Sequence, residues 1–170
     1  EQNQRSLLDP RVKVLNDDAF RFVARDRSRY DIIVLDFPDP NNYSVGKLYS
    51  TVFYAWVARR LSEGGALAIQ ATSPRLTPGA MGSILATVRE VGLFAHPYRI
   101  TLPSFGDWGF VLARHAPFPI PTELQPVPLR TLDHRLLAAA FTLPTDARPT
   151  GSRVNRLDNQ ALVETYLNEA

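Results

Sequence analysis

Three short segments carry polar residues in arrangements that could do chemistry. The first is Asp36-Phe37-Pro38-Asp39-Pro40, which follows an unbroken apolar run. Its two carboxylates stand three residues apart between prolines whose rings fix the backbone, so they are held rather than floppy. A plain turn is one reading, because aspartate and proline are both turn formers. The other is an acidic pair facing a cation. Asp36, expected to lie deeper at the end of a buried strand, would then be the general base on an ammonium, its pKa raised by desolvation. Asp39 would hold a second positive charge. The second segment is Asp17-Asp18-Ala19, readable as a helix N-cap or as a carboxylate accepting from an amino group such as the exocyclic amine of adenine. The third is Gln70, followed by Thr72, Ser73 and Pro74. A glutamine inside an apolar run either faces solvent at a strand edge or is buried with partners.

The elements that must position these residues can be read along the chain. Residues 11–16 alternate and predict a strand, and 19–24 a helix capped by the preceding acids. Ile32 to Leu35 is apolar enough for a strand buried on both faces, within 30–37. A proline-containing loop leads to one amphipathic helix over about 48–61, ended by Gly64-Gly65. A buried strand is expected at 66–71 and a helix from Pro78 to about Val91, closed by Gly92. Residues 96–102 and 108–114 read as an antiparallel hairpin turning at 103–107. Five prolines between 117 and 128 mark an extended connector, followed by helices near 132–141 and 158–168. This divides the chain into an α/β unit over 1–116, a connector over 117–131 and a helical tail over 132–170. Strands alternating with helices predict a mostly parallel sheet closed by the hairpin, as at the end of a methyltransferase-type Rossmann sheet. In such sheets ligands sit at the carboxyl ends of the strands, where all three polar segments fall.

Composition narrows the chemistry. The 170 residues include no cysteine, which excludes disulfides, thiolate metal sites and thiol catalysis, and the three histidines lack ligand spacing, so no metal site is expected. The 19 basic residues are all arginine except Lys13 and Lys47, and they are scattered, which argues against a nucleic-acid surface. No apolar run is long enough to span a membrane. None of the nine glycines forms a G-x-G turn after the first strand, so a loop that would hold a cofactor's ribose or phosphate is missing from this stretch.

Four runs together resemble the spermidine/spermine synthase family, the polyamine aminopropyltransferases. They are DPRVKVLNDDAFRFV, YDIIVLDFPDP, KLYSTVFYAWVARRLSEGGALAIQATSP and PSFGDWGFVLA, over residues 9–115. The tail, with LDHRLLAAAF and RVNRLDNQALVETY, is similar to that of a bacterial subgroup whose catalytic domain follows a membrane-embedded region. The resemblance implies transfer of the aminopropyl group of decarboxylated S-adenosylmethionine, a co-substrate, to a polyamine amine, with no permanently bound cofactor. It implies Asp36 as base, Asp39 as the acid gripping the amine, Asp18 and Ala19 at the adenine, Gln70 lining the amine channel, and Tyr43 and Tyr49 covering the substrates. It also implies a parent linked to the inner membrane, with this chain on the cytoplasmic side.

Two departures stand out. Pro103-Ser104-Phe105 replaces a pattern ending in tyrosine, which removes a hydroxyl from the amine, and Phe37-Pro38 adds bulk and stiffness between the acids. A chain starting at Glu1 without the glycine-rich motif reads as the amine side of a longer catalytic domain, expected to be inactive alone. In that case 11–16 is expected to pair directly with 30–37, or a second copy in a homodimer to cover the open edge. A non-catalytic homologue that binds a nucleoside or polyamine, and another S-adenosylmethionine-dependent transferase, remain as alternatives.

Overall fold

The computed structural model describes residues 5–104 and 106–170, so Glu1 and Phe105 lie outside it. The chain forms α1 (Ala19–Arg25), β1 (Tyr30–Leu35), α2 (Tyr43–Gly46), α3 (Thr51–Arg60), β2 (Leu61–Gln70), α4 (Pro78–Glu90), β3 (Phe94–Leu102), β4 (Gly106–Arg114), α5 (His134–Phe141) and α6 (Ala161–Glu169). The sheet order is β1-β2-β4-β3. β1 and β2 are parallel, whereas β4 runs antiparallel to both β2 and β3. The expected closing hairpin is therefore present, and the parallel part of the described sheet is a single pair.

One face of the sheet is packed. Leu67 and Ile69 on β2 and Val111 and Ala113 on β4 occupy alternate positions. They share one buried cluster with Phe53 and Val57 of α3 and with Met81, Ile84 and Val88 of α4. α5 lies against β3, with Phe141 on the Tyr98 ring at 5.1 Å. α6 closes on α4 through Leu162, which is fully buried. The tail is thus folded onto the sheet-bearing unit. Among the described residues no helix is long and apolar enough to cross a membrane, and no cluster of His, Asp and Glu could hold a metal ion.

Several boundaries differ from the sequence reading. Residues 11–16 are not a strand and do not pair with β1; Val12, Val14 and Leu15 lie exposed. Alternation gives extended propensity, but a strand forms only where a neighbouring ladder accepts it. β1 is accordingly not buried on both faces. Ile32 and Val34, the register partners of Ala66 and Ala68, are 72% and 67% exposed. Gly64-Gly65 do not stop a helix but lie inside β2, where the register with β1 slips between Tyr30/Leu61 and Ile32/Ala66. A Cβ on Gly65 would stand 2.9 Å from the Asp31 carbonyl oxygen, so the irregularity needs glycine there. The single helix expected over 48–61 is broken at Ser50. Its extended backbone (ψ 159°) ends one turn, and its hydroxyl caps α3 by accepting from the Phe53 amide at 3.3 Å.

Candidate functional site

β1 and β2 end side by side. Leu35 pairs with Ile69, so Asp36 and Gln70 each stand one residue beyond that pair, at the carboxyl end of the parallel strands. The loop after β1 is pinned by its own phenylalanine. Phe37 packs edge-on against Tyr49 and Phe53, with ring centroids 6.2 and 5.8 Å away. This anchors the segment between the acids to α3 and to the turn before it.

Tyr49 and Gln70 are hydrogen-bonded to each other, and the Asp39 carboxylate stands against the Gln70 amide. The Tyr49 hydroxyl donates to the Pro38 carbonyl at 3.1 Å and lies 3.3 Å from the Gln70 amide. Two fixed neighbours orient that amide. The Trp108 indole N–H can only donate and the Phe37 carbonyl can only accept. The amide oxygen therefore takes the Trp108 N–H at 2.6 Å, and the amide nitrogen donates to Phe37. That orientation turns the amide oxygen toward the Asp39 carboxylate, whose Oδ1 is 3.3 Å away. Two acceptors so close repel unless a donor lies between them, and a ligand ammonium supplies such donors. Gln70 is only 3% exposed, so of its two readings the buried one holds.

The loop after β2 is held under strain. Thr72 has φ 63°, a left-handed conformation that β-branched residues avoid. Its carbonyl accepts from Gly109, and its hydroxyl meets that of Thr77 at 2.9 Å. Farther along this loop, Arg75 forms ion pairs with Asp107 and Asp146, tying it to the start of β4 and to the 3-10 turn Thr145–Ala147. Hydrogen bonds from Thr101 and Arg75, with the nearby Arg99 charge, hold the Asp107 carboxyl below its ordinary value.

The individual acids and tyrosines differ from expectation. Asp36 is not the deeper carboxylate: it is exposed and Asp39 is half-buried. The reason is that nothing described covers the outer edge of β1, whereas Asp39 is roofed by Gln70 and the C-terminal helix. Tyr49 does not lie at the surface. It is fully buried and braces the acidic loop from beneath, its hydroxyl held far toward the neutral form by burial and by Asp39 and Asp36. Tyr43, at the start of α2, is 65% exposed.

Asp18 caps α1 by accepting the Arg21 amide at 2.9 Å, and its other oxygen pairs with Lys47 at 3.2 Å. Both contacts lower its pKa, the backbone hydrogen bond most. Lys47 joins it to the turn that carries Tyr49, while Ala19 lines an apolar groove between residues 11–16, α1 and β1. The two ends of the site are therefore linked through Lys47, but of the residues expected at the site only Tyr49 and Gln70 are directly bonded to each other.

Sequence reasoning missed Tyr166. Its hydroxyl donates to Asp39 Oδ2 at 3.0 Å across 127 residues. The signal was present in α6: Tyr166 follows Leu162 by four residues and so shares its inward stripe, where a tyrosine hydroxyl needs a partner.

Comparison with known proteins identifies the family and the fold. Residues 1–119 match the model of the spermine/spermidine synthase domain. A polyamine aminopropyltransferase of Leptospira interrogans is 39% identical over 164 residues, 96% of this chain and 33% of that protein. One from Mycobacterium tuberculosis is 42% identical over 168 residues, 95% of this chain and 32% of its own. The chain thus spans about a third of the length of the curated relatives it matches. These alignments run past residue 119 into the tail. Among solved structures, a spermidine synthase in complex with the transition-state analogue AdoDATO superposes with a TM-score of 0.72 at 21% identity, over 84% of this chain and 52% of that one. The spermidine synthase of Thermotoga maritima gives 0.68 at 20% identity, over 84% and 50%. The fold is that of these enzymes.

Proposed function

We propose that this chain, which belongs to the spermine/spermidine synthase family, forms the amine-facing part of a polyamine aminopropyltransferase. The observation that carries the reading is the group at the ends of β1 and β2. There the Asp39 carboxylate and the Gln70 amide oxygen face each other with Asp36 beside them. Such a group suits a ligand with more than one ammonium. Asp39 and Gln70 hold one nitrogen, and Asp36 takes the proton from the nitrogen that reacts.

Decarboxylated S-adenosylmethionine is the second substrate. The deprotonated amine attacks the aminopropyl carbon bonded to sulfur. A C–N bond forms, the C–S bond breaks with its electron pair going to sulfur, and methylthioadenosine leaves. The sulfonium is already a good leaving group, so deprotonation and alignment are what these residues contribute. Exposure of Asp36 is compatible with this role, because its proton must pass on to solvent. Asp18 and Ala19 are assigned to the adenine side. There the Asp18 cap leaves its second oxygen on Lys47, a pair that an incoming amine can replace. The parent is assigned to the cytoplasmic side of the inner membrane, on the resemblance of the tail.

The test is to incubate the full-length gene product with decarboxylated S-adenosylmethionine and putrescine or spermidine, and to follow methylthioadenosine and the lengthened amine by mass spectrometry. Amine-dependent transfer is expected, with Asp36→Asn lowering turnover about 10²- to 10⁴-fold while amine still binds. Amine binding without transfer would mean a binding homologue, and methyl transfer another class of enzyme. Either result would overturn the proposal.

A further inference from the structure

Resting on the reading of Asp39 as the acid that grips the amine, we propose that Tyr166 is a positioning residue for the amine acceptor. The C-terminal helix is thereby a working part of the site. The Tyr166 hydroxyl donates to Asp39 Oδ2 at 3.0 Å, on the oxygen opposite the one that faces Gln70. A carboxylate with one oxygen so held cannot swing, and its other oxygen stays aimed at the place where the ammonium would lie. The phenol is suited to this. Burial and the Asp39 charge both raise its pKa, so it remains a neutral donor at ordinary pH.

The helix that carries it is fixed at both ends. At its start, the fully buried Asn155 accepts from the Leu162 amide at 3.2 Å. Its side-chain amide donates to the Gly46 carbonyl at 3.0 Å, and its backbone carbonyl accepts from Thr51. At its end, the Glu169 carboxylate accepts the Gly79 and Ala80 amides of α4 at 2.9 and 3.0 Å. Gly46 leaves no slack, since a Cβ there would stand 2.5 Å from Val163 Cγ2. One clamp joins α6 to the segment bearing Tyr49 and the other joins it to α4. The distance from Tyr166 to Asp39 is therefore set by the fold and not by the flexibility of a tail.

The test compares the full-length gene product with its Tyr166→Phe variant, which keeps the ring and removes only the hydroxyl. Spermidine is titrated calorimetrically, and kcat and KM are measured where transfer occurs. Tyr166→Phe is expected to weaken spermidine binding and raise its KM about tenfold, the scale of one hydrogen bond to a charged group. The expected change in kcat is less than about threefold, with an unchanged KM for the nucleoside substrate and an unchanged thermal midpoint. Equal spermidine affinity in the two proteins would overturn the proposal, as would losses spread over both substrates together with a lowered midpoint. Spermidine binding that depends on Tyr166 without aminopropyl transfer would support the positioning role while removing the proposed activity. No spermidine binding by the unaltered protein would overturn both.

Discussion

The two ends of this site are built to different degrees. Around Asp39, a strand end, a helix-capping turn and the last helix of the chain converge: Tyr166 donates to its carboxylate, and Gln70, fixed by Tyr49 and Trp108, stands 3.3 Å from it. Around Asp18, the carboxylate serves an exposed helix cap and a surface ion pair. Beside it residues 11–16 are irregular, and β1 leaves Ile32 and Val34 in solvent. Rigidity is concentrated at the acid end. Under the proposed function, a multiply charged, flexible amine is aligned best by acids that cannot move, and the acid end is the one braced from three elements. An exposed cap such as Asp18 stays free to exchange its partner.

The contrast can be broken at its stronger end first. Asp39→Ala is expected to raise the KM for amine about 10- to 100-fold, the loss of a charge-assisted contact, with a smaller fall in kcat. Asp18→Ala should leave the amine KM unchanged. Steady-state kinetics on both variants checks this, and a shared loss would dissolve the distinction.

The brace itself is tested away from the acids. A Cβ on Gly82 of α4 would collide with the Thr150 carbonyl, in the segment leading to Asn155 and α6. Gly82→Ala is expected to destabilise the protein by about 1–3 kcal/mol through overpacking, visible as a lower thermal midpoint. Gly64→Ala, with open space at its Cβ, should change the midpoint little.

The smallest effect concerns acid. The Asp107 carboxyl is held below its ordinary value of 3.8 chiefly by the Thr101 hydrogen bond, with Arg75 and Arg99 adding to it. The unfolded chain therefore takes up this proton first. The stabilisation is complete well above 3.8 and is lost as pH falls through the lower folded value. Acid unfolding followed by circular dichroism should show a shallower decline below about pH 4 in Asp107→Asn than in the unaltered protein.

Much of the acid end was legible in the chain. Two apolar runs each ending in polar residues place Asp36, Asp39 and Gln70 at neighbouring strand ends, because parallel strands present the same end together. Their depths were not legible, since burial depends on what lies across a strand edge. Residues 11–16 show the same limit: alternation specifies an extended chain, but only a partner makes it a strand. Gly64-Gly65 read as a helix stop because the slipped register with β1 is a tertiary fact. Tyr166 was hidden by distance along the chain, although its place on the inward stripe of α6 marked its hydroxyl as needing a partner.

The most direct measurement is a crystal structure of the full-length gene product with spermidine bound. The expected result is one ammonium between Asp39 Oδ1 and the Gln70 amide oxygen, a second nitrogen beside Asp36, and Tyr166 still on Asp39 Oδ2. Spermidine lodged away from the ends of β1 and β2, or a Gln70 amide whose nitrogen faces Asp39 with no cation between them, would contradict the assignment of this end of the sheet to the amine.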